Sequence, residues 1–216
     1  MTVIDLQPGG GYWTEILAPY ATQTGGVYVA GVADLDNPNL SAGARASRAR
    51  FEARHAERGR YGLIRYVGFG PRSGTLGAPG SVDLILTSRE IHNWIGGGYL
   101  DRAMAQTFAA LKPGGVLAVE EHRADPRPQK PGATDGYVAT QTVVDAATRA
   151  GFRLAAASEI NANPADTKDH PFGVWTLPPT RQSSTRSNVP DPNFDHSRYD
   201  AIGESDRMTL RFRKPG

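Results

Sequence analysis

The sequence contains no cysteine. This absence excludes disulfide bonds, thiolate catalysis, cysteine-based zinc sites and cysteine-ligated iron–sulfur clusters. No stretch approaches the roughly 18 consecutive apolar residues that predict a transmembrane helix. The first residues, Met1 to Leu6, show no charged segment followed by an apolar core, so no signal peptide is evident. We therefore expect a cytoplasmic protein, although a further N-terminal segment, if one exists, would allow export.

The chain also lacks a strong excess of charge of either sign. Its 216 residues include 24 Lys and Arg and 22 Asp and Glu, a formal net charge of +2. This balance gives no reason to expect nucleic acid or a membrane as partner. Hydrophobic residues make up 39% of the chain, which argues against disorder. The 25 glycines and 16 prolines predict many tight turns and at least one irregular segment.

Short apolar runs alternate with helical patterns along most of the chain. Strands are expected at 3–6, 27–32, 63–69, 82–87, 116–120, 152–157 and 208–213. Helices are expected at 12–21, 41–60, 99–111 and 137–149. The alternation predicts an α/β fold with a Rossmann-like, doubly wound, mostly parallel seven-stranded sheet and an antiparallel last strand. We expect a single domain, 1–216, with an irregular insertion at 164–206 before that strand.

The first expected strand, Val-Ile-Asp-Leu at 3–6, ends in Gln-Pro-Gly-Gly-Gly at 7–11, and a helix follows. Glycine allows a ligand to approach the backbone because no Cβ is in the way. The start of the helix offers unpaired N–H groups to a carboxylate or phosphate. Ligands of doubly wound sheets bind beyond the carboxyl ends of the strands. The loop therefore predicts a ligand site, and the alternative is a tight turn with no ligand.

Three further segments occur in a matching order: Ser-Val-Asp-Leu-Ile-Leu at 81–86, Leu-Lys-Pro-Gly-Gly-Val-Leu at 111–117 and Ala-Gly-Phe at 150–152. With the first loop they resemble class I S-adenosylmethionine-dependent methyltransferases over residues 3–160 and the last strand. A narrower resemblance, at 8–17, 121–124, 163–166 and 205–215, is to a little-characterised group of predicted bacterial methyltransferases. The resemblance implies methyl transfer from S-adenosylmethionine to an oxygen or nitrogen of a small-molecule acceptor. One or two helices usually precede the first strand of that family, and we expect them to be missing here because the first expected strand begins at residue 3.

The resemblance also implies which residues bind the cofactor. Asp5, Gly9 and Gly11 are expected at its amino-acid end, with Gln7 in place of the family's first glycine. Asp34, or else Asp36, is expected at the ribose, and Phe69 on the adenine. Thr87, Ser88 and Arg89 are expected near the methyl donor.

Two histidines follow strands at the same edge of the expected sheet, His92 after the fourth strand and His122 after the fifth. Methyl transfer from a sulfonium is an in-line displacement, for which an enzyme mainly aligns the nucleophile and the methyl group. An oxygen or nitrogen nucleophile also calls for a base, and imidazole titrates near neutral pH. We expect His92 or His122 to be this base, with Asn93 and Trp94 in the wall of the substrate pocket. The alternative is that each histidine only bonds a loop backbone.

Other interpretations are weaker. Asp166, Asp169 and His170 are more typical of a turn than of a metal site, so no metal is expected. A nicotinamide-dependent dehydrogenase is disfavoured because the first loop lacks Gly-x-Gly-x-x-Gly. The net charge of +2 disfavours a nucleic-acid methyltransferase despite the arginines of 41–60. A catalytically weak or inactive methyltransferase-like binding protein is the main alternative, because the N-terminal helices and a clear ribose-binding acid are lacking.

Overall fold

The computed structural model describes residues 1–185 and 189–216, and the strands in these residues form one sheet. The strands are β1 (Thr2–Leu6), β2 (Val27–Val32), β3 (Arg65–Gly68), β4 (Val82–Ser88), β5 (Leu111–His122), β6 (Arg153–Ser158) and β7 (Arg207–Arg213). The helices are α1 (Thr14–Gln23), α2 (Ala42–Arg54), α3 (Arg58–Tyr61), α4 (Ile91–Gly96), α5 (Leu100–Ala110), α6 (Thr140–Arg149) and α7 (Ser197–Ile202). Two 3₁₀ turns lie at Pro131–Ala133 and Gly173–Thr176.

The spatial order of the strands is β3-β2-β1-β4-β5-β7-β6. Strands β1 to β5 pair in parallel, and β7 runs antiparallel to both β5 and β6. The chain begins at the middle of the sheet, moves outward through β2 and β3, and returns to place β4 beside β1. The order therefore reverses between β1 and β4, so the loops after these strands meet there. The predicted α/β fold with its antiparallel last strand is confirmed.

The central strands are buried on the sheet faces that the helices cover. Ile4, Ile85, Leu117 and Phe212 are each at most 1% exposed and belong to one core cluster. Close packing of these side chains fixes where each strand ends, and therefore where the loops of the carboxyl edge begin. Within the described residues, no helix combines the length and the apolar character that crossing a membrane requires.

The largest local difference from the sequence expectation is α4, which occupies a segment predicted as a loop. The residue that precedes α4, Glu90, makes no side-chain capping hydrogen bond. Instead, the Glu121 carboxylate accepts hydrogen bonds from the backbone N–H of Ile91 at 2.5 Å and of His92 at 3.2 Å. A carboxylate from the end of β5 thus satisfies the first N–H groups of the helix. Sequence patterns miss such a cap because it comes from a distant part of the chain.

Three other boundaries differ for local reasons. The helix predicted at 41–60 divides into α2 and α3, because His55 Nδ1 hydrogen-bonds the Phe51 carbonyl at 2.8 Å and ends α2. The helix predicted from 137 begins at Thr140, because the backbone of Val138 pairs with the end of β5, where its N–H donates to the His122 carbonyl at 2.8 Å. The predicted turn at 111–115 lies within β5, opposite a register irregularity of β4.

The segment 164–206 is tied to the sheet through the buried carboxylate of Asp166. This carboxylate accepts hydrogen bonds from the Tyr137 hydroxyl at 3.0 Å and from the backbone N–H of Asp206 at 2.8 Å. It also hydrogen-bonds His170 Nε2 at 2.8 Å. Tyr137 precedes the segment, His170 lies within it and Asp206 is its last residue, directly before β7, so one carboxylate joins both ends of the segment to the sheet.

We expect Asp166→Ala to lower the free energy of unfolding by roughly 2–3 kcal/mol or more, because it leaves buried donors without an acceptor. Asp169→Ala is the matched control, since the Asp169 side chain is 62% exposed. Its effect should stay within about 0.5 kcal/mol. Urea unfolding monitored by circular dichroism measures both, and equal effects of the two variants would contradict the assignment.

Candidate active site

A cavity of about 550 Å³ lies where the strand order reverses. Its lining comes from five places: the end of β1 with the loop 7–11 and the start of α1, the last residue of α2, the residues 88–93 at the end of β4 and after it, the end of β5 with the start of β7, and residues 174–180 of the insertion. The sheet therefore brings together side chains that lie more than 100 residues apart in sequence.

The loop after β1 alternates between ordinary and left-handed backbone conformations. Gln7, Gly9 and Gly11 have φ angles of 55°, 55° and 91°. Gln7 tolerates this conformation although it replaces the family's glycine, and its side chain is held in place because Trp94 Nε1 donates to Gln7 Oε1 at 2.6 Å. A Cβ on Gly9 would meet no atom within 4 Å, whereas one on Gly11 would lie 2.5 Å from the His55 ring. Gly9 thus faces open space, while Gly11 packs closely on the helix that follows β2.

Asp5 stands at the end of β1 and is only 1% exposed. Its carboxylate accepts a hydrogen bond from the Tyr28 hydroxyl at 2.9 Å. Burial raises the pKa of Asp5 to about 7, and the Tyr28 hydrogen bond opposes that rise only in part. An acid beside the cavity thus exchanges its proton near neutral pH.

His92 is backed by the fully buried Glu121. His92 Nδ1 lies 3.1 Å from Glu121 Oε1, and the backbone N–H of His122 donates to the same oxygen at 2.8 Å. Burial lowers the pKa of His92, but the hydrogen bond and the charge of Glu121 outweigh burial and raise it above the usual value. The carboxylate fixes the orientation of the ring, and no hydrogen bond in the described residues occupies Nε2.

His122 faces His92 across the cavity, with ring centroids 5.6 Å apart. Its Nδ1 shares a hydrogen bond of 2.6 Å with Ser205 Oγ. Burial, helped by the charges of His92, Arg207 and Arg89, holds the pKa of His122 well below its usual value. The pKa values of the two imidazoles therefore shift in opposite directions, since His92 has a carboxylate partner and His122 a hydroxyl partner.

The insertion closes one side of the cavity next to the histidines. The Trp175 ring meets the His92 ring edge to face at 5.8 Å, and Pro178 and Pro179 line the same wall. These apolar groups beside two imidazoles form a space suited to a small organic molecule.

Three arginines add positive charge to the lining, and one of them, Arg54 of α2, donates to the Gly10 carbonyl at 2.9 Å. Arg207 is used within the protein, because it donates to Glu120 Oε1 at 3.0 Å and also pairs with Glu204. Arg89 has a left-handed backbone conformation with φ of 58°. Burial raises the pKa of the neighbouring Glu90 to about 7.

The structure brings nine of the sequence-predicted site residues to the cavity. They are Asp5, Gln7, Gly9, Gly11, Ser88, Arg89, His92, Asn93 and His122. Four others are not brought to it: Asp34, Phe69, Thr87 and Trp94.

Each of these four has a structural reason to lie elsewhere. Trp94 lies in the core instead of the cavity wall, because α4 turns it inward, and its ring packs on that of Phe69 at 5.4 Å. Thr87 is fully buried, since successive strand residues point to opposite faces and Ser88 takes the cavity side. Asp34 packs against Gly68, where an added Cβ would lie 2.7 Å from its carboxyl carbon.

A smaller groove of about 200 Å³ continues from the cavity on the other side of Gly9. Ala33, Phe51 and Arg48 line it, and Glu90 lines both the groove and the cavity. The two spaces together could accept an elongated ligand that passes over the loop after β1.

Sequence reasoning missed two residues of the site. Glu121 follows another acid and directly precedes His122, but only the fold shows that it contacts His92. Ser205 lies in the insertion, whose lack of periodicity gave no reason to place it at the sheet edge. The neighbouring Glu-His pair at 121–122 was the one signal that could have identified Glu121.

Solved structures share this fold at low sequence identity. The [4+2]-cyclase SpnF is 14% identical with a TM-score of 0.62, over 99% of this chain and 74% of that one. A TehB-like S-adenosylmethionine-dependent methyltransferase of Corynebacterium glutamicum is 14% identical with a TM-score of 0.54, over 99% of this chain and 79% of that one. An S-adenosylmethionine-dependent methyltransferase of Mesorhizobium loti is 16% identical with a TM-score of 0.54, over 99% of this chain and 90% of that one. No family model and no curated protein matches the chain. The chain has the class I methyltransferase fold, as expected.

The pKa of Asp5 predicts how stability depends on pH. The native pKa of about 7 exceeds the ordinary 3.8, so the folded chain holds a proton that the unfolded chain releases between these values. The wild type should therefore lose stability as pH rises through this window, by about 1.4 kcal/mol for each unit of pKa difference. Asp5→Asn removes this loss, so its stability relative to wild type should be greater at pH 8 than at pH 5.

Asp83→Asn is the matched control for this comparison. The Lys112 hydrogen bond lowers the pKa of Asp83 below the ordinary 3.8, so its ionised form stabilises the fold at both pH 5 and pH 8, and the stability of the Asn variant relative to wild type should not change between these two values. Thermal unfolding at the two pH values measures both variants. A pH-independent difference between Asp5→Asn and wild type would contradict the assignment.

Proposed function

We propose that the protein transfers a methyl group from S-adenosylmethionine to an oxygen or nitrogen of a small-molecule acceptor. One observation carries the proposal: the glycine loop after β1 and two imidazoles from the next strands line the same cavity at the sheet reversal. When bound, the cofactor supplies a methyl group on a positively charged sulfur that an in-line nucleophile can displace.

The loop after β1 fits the amino-acid end of this cofactor. Gly9 and Gly10 have open space at the position of a Cβ, so a ligand can approach their backbone. Asp5 provides a carboxyl at the same end of the cavity, and an ammonium group next to it would favour its ionised form. Gln7, Ser88 and Arg89 complete this part of the proposed cofactor site.

The smaller groove fits the adenosine end. Its lining by Ala33 and Phe51 supplies apolar contact for a flat base, a part that the sequence assigned to Phe69. Glu90 lies at the junction of groove and cavity, where a ribose would lie between the base and the sulfur. We propose Glu90, in place of Asp34, as the acid that binds the ribose hydroxyls.

The acceptor is proposed to bind between Trp175 and the two histidines. His92 Nε2 takes the proton of the acceptor nucleophile, because Glu121 holds the other nitrogen of the ring and stabilises the imidazolium that forms. His122 and Asn93 line the same space and orient the acceptor. The insertion excludes water on the side of Trp175.

A methyltransferase-like binding protein with little or no catalysis is the second candidate. The fold alone does not require methyl transfer, because the [4+2]-cyclase SpnF has a similar fold under a name that is not a methyltransferase's. Cofactor binding without methyl transfer to any acceptor would favour this candidate.

We expect calorimetric titration with S-adenosylmethionine to show one site per chain, and Gly9→Val to abolish binding because its side chain fills the open space of the loop. Gly25→Val is the control. Gly25 also has a left-handed backbone (φ 67°) and open space, but it lies at the far end of α1, outside the lining of the cavity. Both variants strain the backbone, so equal affinity in the two would contradict the proposed cofactor site.

We expect His92→Ala to slow methyl transfer by about 10²–10⁴-fold, because a proton acceptor is lost. The assay follows release of S-adenosylhomocysteine with the first acceptor that a substrate screen identifies. The affinity of the His92→Ala variant for S-adenosylmethionine should stay at the wild-type value. The control variant His196→Ala should keep the wild-type rate of methyl transfer, since His196 lies outside the lining of the cavity. A wild-type rate in His92→Ala would remove the assignment.

A further inference from the structure

Three buried side chains at the inner end of the cavity carry a metal-ligating set. One nitrogen each of His92 and His122 and one oxygen of Glu121 lie within 4.8 Å of one another. Glu121 is fully buried, and the histidines are 7% and 9% exposed. Both histidines line the cavity, so an ion has a path from solvent to the cluster.

The Glu121 carboxylate is held in position before any ion binds. The backbone N–H groups of Ile91, His92 and His122 donate to its two oxygens at 2.5, 3.2 and 2.8 Å. Within the described residues, its only ion-pair partner is His92, and no lysine or arginine pairs with it. A buried negative charge compensated only by amide dipoles and one imidazole is a favourable place for a cation.

The His122 ring is also oriented by a partner outside the set. His122 Nδ1 hydrogen-bonds Ser205 Oγ at 2.6 Å, which leaves its Nε2 for a ligand. A hydrogen-bond partner behind the imidazole is the usual means by which proteins orient metal-binding histidines. Imidazole and carboxylate together favour zinc, iron, manganese, cobalt or nickel over magnesium and calcium, which prefer oxygen ligands alone.

We propose that His92, Glu121 and His122 bind one divalent transition-metal ion, in the position where His92 and Glu121 otherwise share a proton. The Nδ1–Oε1 distance of 3.1 Å is close to the separation of ~3.3 Å between two ligands of a tetrahedral zinc ion. A shift of the His122 ring completes the set, and the remaining position faces the cavity. The ion and the proton of the acceptor compete for one imidazole, so the ion-loaded protein has no free His92 base.

The test uses tag-free full-length protein, Zn²⁺ in calorimetry and Co²⁺ as a probe whose visible absorption reports its ligands. We expect one ion per chain in the wild type, and at least about tenfold weaker binding in His92→Ala and His122→Ala. Glu121→Gln should also bind at least about tenfold more weakly. His196→Ala is the control, because it removes a histidine elsewhere and should bind as the wild type does.

Two results would overturn the proposal: no Zn²⁺ heat and no Co²⁺ absorption band in the wild type, or wild-type affinity in His92→Ala and His122→Ala. Circular dichroism checks that each variant folds. If Glu121→Gln does not fold, the affinities of His92→Ala and His122→Ala for the metal ion decide the question. S-adenosylmethionine affinity, measured on the same samples, tests the proposed function separately, because its binding residues lie at the other end of the cavity.

Discussion

The site depends on the position of one buried carboxylate, that of Glu121. From the end of β5 it accepts the first N–H groups of α4 and hydrogen-bonds His92 Nδ1, so it fixes both the helix and the ring. The helix then turns His92 and Asn93 toward the cavity and Trp94 into the core, where Trp94 anchors Gln7 of the glycine loop. A chain of contacts thus connects β5 to β1 through the segment after β4.

A second set of contacts brings the insertion to this centre. The Asp166 carboxylate accepts a hydrogen bond from the backbone N–H of Asp206, just before β7. The preceding residue, Ser205, orients His122, and the Trp175 ring packs on that of His92. The cavity therefore has a floor made by the sheet edge and a wall supplied by a segment with little regular structure. Residues on this wall are the ones that can set which acceptor fits, because they touch the space next to the imidazoles and take no part in the sheet.

Much of the fold could be predicted because it rests on local signals. Apolar runs located all seven strands of the described residues within a few positions, and Gln-Pro-Gly-Gly-Gly marked the loop at the sheet reversal. Contacts between distant residues had no such signal. Glu121 as the cap of α4, Trp94 in the core and Asp34 against Gly68 all follow from packing across the sheet. The first loop and both histidines therefore line the cavity, whereas Asp34 and Phe69, the residues expected at the ribose and the adenine, do not line it.

We propose that one ligand spans the loop after β1 and ends at the histidines. A crystal structure of the protein with S-adenosylhomocysteine is the decisive experiment. We expect the amino group of the ligand beside Asp5, its ribose at Glu90, and its sulfur facing the space between His92 and Trp175. Density for the ligand outside the cavity, or with its sulfur turned away from the two histidines, would contradict it.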